Sequence, residues 1–414
     1  MQEMNILWED AKKIYTSAIE ASLPDRAVSR YLSNFVPGKG KLILIAVGKA
    51  AWAMANAAVK SLGDHPVTGL VLTKYGHGRG PLKGLEILEA GHPIPDENTF
   101  AGARRAVELV TGLTEEDTVL FLLSGGGSTL FELSDLPLEE LQQINGQLLA
   151  SGADIQQINT VRKRLSRVKG GRFAALAQPA RVVSLILSDV LGDQVDMIAS
   201  GPTCLDRSTC REAAAIAEAY GLTLSSQARS LLEQETPRSL TNAEYYICGS
   251  VALLCRAAVE ACRGLGYETT LLTENLDCYA QDAGRKLGAL AREQAGQGKK
   301  LAFVAGGETV VRLTGKGLGG RNQELALAAA EAISGLEGIC VFSVGSDGTD
   351  GPTDAAGGYV DGQTAARLKA LGVSIPAVLR ENDSYHALEK VNGLIVTGAT
   401  GTNVNDLSVV LIRP

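Results

Sequence analysis

The chain has 414 residues, 45% of them hydrophobic and 21% charged, with a net charge of −7. That is long enough for two or three domains with full cores, and the acidic balance argues against a general nucleic-acid or anionic-membrane binder. No apolar run reaches the ~18 residues of a membrane span, and the opening MQEMNILWEDAKK lacks the apolar core of a signal peptide. The seven cysteines form no CxxC pair, so the expected compartment is reducing cytoplasm. Four widely spaced histidines (His65, His77, His92, His386) make no zinc cluster. Low aromatic content and 47 glycines favour an α/β enzyme with many tight turns over a β-sandwich.

Helical periodicity covers 3–22 and 25–34. Lys41–Val47 reads as a buried strand running into Gly48-Lys49-Ala50-Ala51 and a helix to about Leu62. A lysine at the carboxyl end of a strand lies where open α/β sheets keep their ligands, although a solvated turn lysine is the commoner case. Strands follow at Thr68–Lys74 and Ile87–Glu89, the second leading to Gly91-His92-Pro93-Ile94-Pro95-Asp96. Asp96 or Asn98 is expected to cap a helix over 98–111. Thr118–Leu123 is a continuous apolar strand emptying into Ser124-Gly125-Gly126-Gly127-Ser128. Helices are expected over 138–150 and 154–169. Arg162, Lys163, Arg164, Arg167, Lys169 and Arg172 there read either as a solvated face or as a lining for an anionic substrate. Val182–Leu187 is a strand whose end bears Asp189, placed to touch Mg²⁺ or accept a proton. A helical stretch over 206–232 and a polar one over 234–242 end an N-terminal domain, 1–238, and open a C-terminal one, 239–414.

The second half restarts the alternation with a strand at 245–248, a helix at 250–264, a strand at 268–273 and a helix at 278–295. Leu301–Ala305 is a strand ending at Gly306-Gly307-Glu308, and Thr309–Leu313 reads as another. Gly315-Lys316-Gly317-Leu318-Gly319-Gly320 then leads through Arg321-Asn322 into an alanine-rich helix to about Ile333. Strand, glycine loop and helix start aim backbone N–H groups at one point, which suits a phosphate, though a lone GxGxxG is weak evidence. Ile339–Val344 is a strand followed by Asp347, Asp350 and Asp354 among glycines and threonines, which suits a hard cation without matching an EF-hand. Helices at 362–371 and 376–391, a strand at Leu394–Thr397, a third glycine-rich loop over 398–406 and a strand at Ser408–Ile412 end the chain. In a parallel sheet these loops gather Lys49, Asp189, Glu308, Arg321, Asp347 and Asp350 at one edge. Anion cradles, cations and carboxylates without a Ser-His-Asp arrangement are the parts of phosphoryl transfer. The absence of GxxxxGK[ST] excludes an ordinary P-loop kinase.

The motifs VGKAA (47–51), GHPIPDE (91–97), LLSGGGS (122–128), INTVRKRLSRVKGGR (158–172), SDVLGDQVDMIASGPT (188–203), GGET (306–309), GKGLGGRNQE (315–324), SDGTDGPTDAAG (346–357) and TGATGTNVNDL (397–407) resemble the class II glycerate 2-kinases. That family joins an N-terminal glycerate-kinase domain to a C-terminal MOFRL domain, and the resemblance covers nearly the whole chain. It implies two Rossmann-like three-layer α/β/α domains with the active site in an interdomain cleft. It also implies ATP- and Mg²⁺-dependent phosphorylation of D-glycerate at its 2-hydroxyl, giving 2-phospho-D-glycerate and ADP. By motif, Lys49 and Arg321 would hold the glycerate carboxylate or the transferring phosphoryl group, and Ser124, Gly125, Gly126, Gly127 and Ser128 would cradle phosphate. Glu308, Gly317, Gly319, Gly320, Asn322 and Asn405 complete the expected substrate- and phosphate-binding set. Asp189, Asp347 and Asp350 are the metal candidates, and Asp189 or Asp347 the candidate acceptor of the hydroxyl proton. Arg164 stands where the family commonly has His, Thr129 where Ala is usual, and Ala399 where Pro is usual. The rival is an NAD(P)-dependent hydroxypyruvate reductase, a label that relatives have carried. The GxGxxG with Asp347 beyond it imitates a dinucleotide fingerprint, but Asp347 lies further on than the ~20 residues expected of the acid, and no His/Arg pair is evident to polarise a ketone. Expected partners are D-glycerate and ATP, with no nucleic acid and no membrane; the oligomeric state, a homodimer included, is left open.

Overall fold

The computed structural model describes residues 2–414, with side chains from Ile6 onward. It forms two compact units, residues 24–248 and residues 2–23 together with 249–414. The first unit contains β1 (Leu42–Val47), β2 (Val67–Lys74), β3 (Leu85–Ala90), β4 (Thr118–Leu123), β5 (Arg181–Leu187) and β6 (Ala243–Gly249), ordered β3-β2-β1-β4-β5-β6. Strands β1 to β5 are parallel. Their apolar runs, LILIAV and TVLFLL, are buried on both faces because helices cover each side. Alternate residues feed two cores: Ile43, Ile45, Val119 and Phe121 pack with Phe131 and Phe173, while Leu44, Ala46, Leu120 and Leu122 pack with Met54 and Ala58. The helix Glu97–Val110 starts at Asp96, whose carboxylate accepts from the Thr99 N–H in a capping box, so of the two caps the sequence allows it is Asp96 and not Asn98.

The second unit contains β7 (Glu268–Leu276), β8 (Leu301–Gly307), β9 (Ile339–Gly345), β10 (Gly357–Asp361), β11 (Leu394–Ile395) and β12 (Asp406–Ile412), ordered β11-β10-β9-β12-β8-β7. This sheet is mixed. β12 runs antiparallel to both β8 and β9, and β10 runs antiparallel to β9. The two α/β domains are as expected, but the strands of this second sheet are not all parallel, because the last strand enters between β8 and β9 in the opposite sense. The alanine-rich helix Arg321–Ala332 is buried along nearly its whole length. It lies so close to the helix Ala280–Gln294 that a Cβ on Gly284 would sit 2.1 Å from the Leu325 carbonyl oxygen.

The helix Gln2–Ala21 belongs to this second unit. The Tyr267 hydroxyl donates to Asp10 at 2.6 Å, the Trp8 ring stands edge-on to Tyr359 at 4.9 Å, and Ile14 is fully buried. The compact units thus break at 23/24 and 248/249 rather than once at 238/239.

Thr309–Leu313 is not a strand. It makes a single bridge, Val310 to Tyr279, and leaves Leu313 82% exposed. The helix expected over 154–169 ends at Leu165. Those over 206–232 and 376–391 are each split in two, the latter by Asn382 at φ 54°. β10 has no counterpart among the expected strands; it opens with Gly357-Gly358, and glycine weakens a strand's signal in sequence. No helix among the described residues is long and apolar enough to cross a membrane.

Ile14→Ala is expected to cost about 2–4 kcal/mol. Hydrogen exchange should place the lost protection in 249–414; loss confined to 24–248 would contradict the packing of the first helix.

Candidate functional site

In the first unit the strand order reverses between β1 and β4, and both strands end at the same edge. Their loops are stitched together there. The Lys49 N–H donates to the Gly125 carbonyl at 2.9 Å, and the Ala50 N–H donates to Ser124 Oγ at 3.0 Å. Gly48 is required: its φ is +117°, and a Cβ would lie 2.3 Å from Ser124 Oγ. The Lys49 backbone is thereby fixed while its side chain is exposed. Gly127 abuts Ala199 so closely that a Cβ would sit 2.7 Å from the Ala199 methyl. Ser200 hydrogen-bonds Asn159 at 2.8 Å and lies 3.5 Å from Ser128 Oγ. Asp189, after β5, has Oδ2 only 2.3 Å from where a Cβ on Gly125 would be. Lys49, Ser124, Gly125, Gly126, Gly127, Ser128 and Asp189 therefore share one sheet edge at its switch point, the usual ligand site of such a sheet.

In the second unit Asp406, the first residue of β12, pairs in register with Gly307 on one side and Gly345 on the other. Glu308 follows Gly307 directly and Asp347 lies two residues beyond Gly345, so one strand start and two strand ends meet. Arg321 is clamped there. Its Nε donates to Asp406 Oδ2 at 2.6 Å, its Nη2 to Oδ1 at 3.1 Å, and its Nη1 to Glu308 Oε1 at 2.7 Å. Asn405 Nδ2 donates to the other Glu308 oxygen at 3.0 Å. Burial works against the Arg321 charge, but the Asp406 and Glu308 carboxylates outweigh it and hold the guanidinium protonated. Burial also pushes the Asp406 carboxyl up to about 6, against the pull of Arg321. Asp406 was not singled out in the sequence; its only signal was its place in the motif TGATGTNVNDL.

Several expected roles change. The glycines of 315–320 do not form an anion cradle. The Gly315 N–H donates to Asn382 Oδ1 at 2.9 Å, the Gly317 N–H to the Glu381 carbonyl at 2.8 Å and the Leu318 N–H to Asp383 at 3.0 Å. A Cβ on Gly317 would lie 2.4 Å from Asp383 Cβ, one on Gly319 2.2 Å from Ser384 Oγ, and one on Gly320 2.3 Å from the Asp350 carboxyl carbon. These glycines admit the chain's own backbone rather than a phosphate. The helix start they lead into is occupied as well: Asp350 accepts from the Asn322 N–H at 3.1 Å and the Gln323 N–H at 2.9 Å. Asp350 is 3% exposed and caps this helix, so its geometry is not that of a metal ligand. Asn322 is equally internal, donating to Asp350 and accepting from Ser343 at 2.5 Å. Asp347 binds the Thr349 N–H and hydroxyl of its own turn, and Asp354 accepts from Tyr385.

Most of the basic stretch is turned into the protein rather than solvated. Lys163 pairs with Asp196 and Asp206, Arg164 with Asp206 and Glu235, and Lys169 with Glu132, and all three cations are nearly or fully buried. Arg172 donates to main-chain carbonyls at 163, 164 and 166, and only Arg167 is largely exposed.

Gly317→Ala is expected to lower unfolding stability by about 1–3 kcal/mol, as overpacking does. Urea denaturation checks this; unchanged stability with weakened nucleotide binding would restore the cradle.

Residues 10–233 match the model of a domain of unknown function, DUF4147, and residues 301–406 match the MOFRL family. The chain is 52% identical to a D-glycerate 2-kinase of Thermotoga maritima, with 97% of each chain covered. It is 38% identical to an Agrobacterium vitis protein that carries a hydroxypyruvate reductase name, over 97% of this chain and 93% of that one. The crystal structure of a Thermotoga maritima glycerate kinase superposes with a TM-score of 0.96 at 51% identity, covering 99% of this chain and 100% of that one. With both family domains present and such identity along the whole length, the chain belongs to the class II glycerate 2-kinases.

Proposed function

We propose that this protein transfers the γ-phosphoryl group of ATP to the 2-hydroxyl of D-glycerate, giving 2-phospho-D-glycerate and ADP. The observation that carries this reading is Lys49, an exposed cation whose backbone is locked beside Ser124–Ser128 at the switch point of a parallel sheet. Arg321, preorganised by two carboxylates, is the second fixed cation. Phosphoryl transfer needs little covalent help from a protein; it needs groups held in line and charge neutralised. Lys49 and Arg321 supply the charge, for the carboxylate of the acceptor and for the phosphoryl oxygens. The Ser124–Ser128 loop brings backbone close to the phosphates without side-chain obstruction.

Mg²⁺ fits the residues present. Mg²⁺ keeps water and phosphate ligands and takes only one or two carboxylates. Asp189, against Gly125 in the phosphate loop, would hold it, with Asp347 the second candidate. When bound it neutralises charge across the phosphates. Asp189 or Asp347 also remains the candidate acceptor of the hydroxyl proton. Seven free thiols suit a reducing compartment, and we place the reaction in the cytoplasm. The packed glycines and the Asp350-capped helix start weigh against a dinucleotide site at 315–320.

Mixing protein, MgATP and D-glycerate should release ADP, with phosphorus NMR locating a 2-phosphoester. Lys49→Ala and Arg321→Ala should each lower kcat/KM at least about 100-fold, as loss of a preorganised charge does. NADH oxidation with hydroxypyruvate and no ADP release would overturn the reading.

Activity should also fall as pH drops through about 6, where Asp406 protonates and Arg321 loses its charged anchor. The sign separates this from unfolding. The folded carboxyl binds its proton more tightly than the unfolded chain does, so this group's contribution to stability grows as pH falls through that range. In Asp406→Asn the acid limb near pH 6 should be lost from the kcat/KM profile; an unchanged limb would exclude Asp406.

A further inference from the structure

His92 follows β3 on the same edge of the first unit and is not used by the scheme above. Its ring lies against the phosphate loop: Nε2 and Cδ2 are each 3.2 Å from where a Cβ on Gly126 would be, and the aliphatic stem of Lys49 is 3.3 Å from the same point. Gly126 has φ +84° and is the position at which the chain makes room for both side chains. The segment carrying His92 is held from several sides. Thr129 Oγ1 donates to the Pro93 carbonyl at 3.3 Å, Gln142 Nε2 to the Pro95 carbonyl at 2.6 Å, and the Tyr75 hydroxyl to Asp96 at 2.7 Å. The half-buried imidazole itself shows no hydrogen bond to any described residue. Burial first, then the charges of Lys49, Lys74 and His77, keep its pKa below the ordinary imidazole range. At neutral pH it is therefore uncharged, with one nitrogen that donates and one that accepts.

We infer that His92 is a further substrate-contacting residue, hydrogen-bonding a hydroxyl of the acceptor while Lys49 beside it takes the anionic end. The inference rests on the kinase reading and adds to it the group that recognises the hydroxyl. A ring fixed on the phosphate loop, beside Lys49 and without an internal partner, offers a neutral group with one donating and one accepting nitrogen. A site that hydrogen-bonds a hydroxyl discriminates strongly against ligands that cannot return the bond.

The test is His92→Ala and His92→Gln in the full chain, with folding checked by circular dichroism. His92→Ala should lower kcat/KM for D-glycerate at least about tenfold and leave KM for ATP within about twofold; the amide of His92→Gln should restore part of the loss. Independently, proton NMR of the four histidine rings, with the His92 signal assigned by its absence in His92→Gln, should show that signal shifting on titration with D-glycerate alone. Wild-type protein without glycerate phosphorylation would overturn the kinase reading itself. An active wild type whose His92 signal is unmoved by D-glycerate, or a folded His92→Ala variant within twofold of it, would overturn the inference alone.

Discussion

The hydrogen bond from the Lys49 amide to the Gly125 carbonyl joins the loops after β1 and β4, the two neighbouring strands between which the chain changes direction across the sheet. Hydrogen bonds of this kind add only about 1 kcal/mol each to stability. Their weight here is geometric. Together with the Ala50–Ser124 contact and the left-handed Gly48, the bond sets where the Lys49 side chain begins and where the glycine loop runs. Asp189 against Gly125, Ala199 against Gly127 and His92 against Gly126 then pack onto a loop already fixed.

Behind that loop lies a framework of buried charge. Lys163 reaches Asp196 at 3.2 Å and Asp206 at 3.1 Å, tying the segment after β5 to the helix Ile155–Leu165. Lys169 pairs with Glu132 at 2.8 Å beneath the short helix that follows the glycine loop. Such pairs add little net stability compared with apolar packing, yet removing one partner costs about 3–5 kcal/mol by stranding the other. Burial opposes the Asp206 charge, but Lys163 and Arg164 hold its carboxyl down to about 2, so it is ionised through the neutral range. The framework fixes the path of the 189–206 segment, which carries Asp189 at one end and Ala199 and Ser200, both at positive φ, near the other.

The second unit reaches a comparable rigidity by another route. Asp406 sits between Gly307 and Gly345 because β12 runs antiparallel to both neighbours. Its carboxylate grips Arg321 from one side while Glu308 grips it from the other. The glycine loop ahead of Arg321 contributes by fitting tightly against 381–384, which sets the start of the helix, and Asp350 then caps that start. A motif that reads as a ligand cradle is in fact the seating of a helix.

The sequence by itself determined the alternation of strands and helices, the buried strands at 42–47 and 118–123, a helix cap at Asp96 or Asn98 and the strand-end position of Lys49, Asp189 and Glu308. Those features rest on local periodicity, turn chemistry and the steric needs of glycine and proline, which act within a few residues. Only the tertiary structure decided what depends on distant partners. The antiparallel entry of β12 made Asp406 a ligand of Arg321. The acids at 196, 206 and 132 turned the basic stretch inward. The 381–384 segment filled the space that the 315–320 glycines leave open. The first helix joined the C-terminal unit because its apolar face and Asp10 meet Tyr267 and Tyr359, hundreds of residues on. A carboxylate or a glycine carries no mark of its partner; burial and the approach of another segment assign its role.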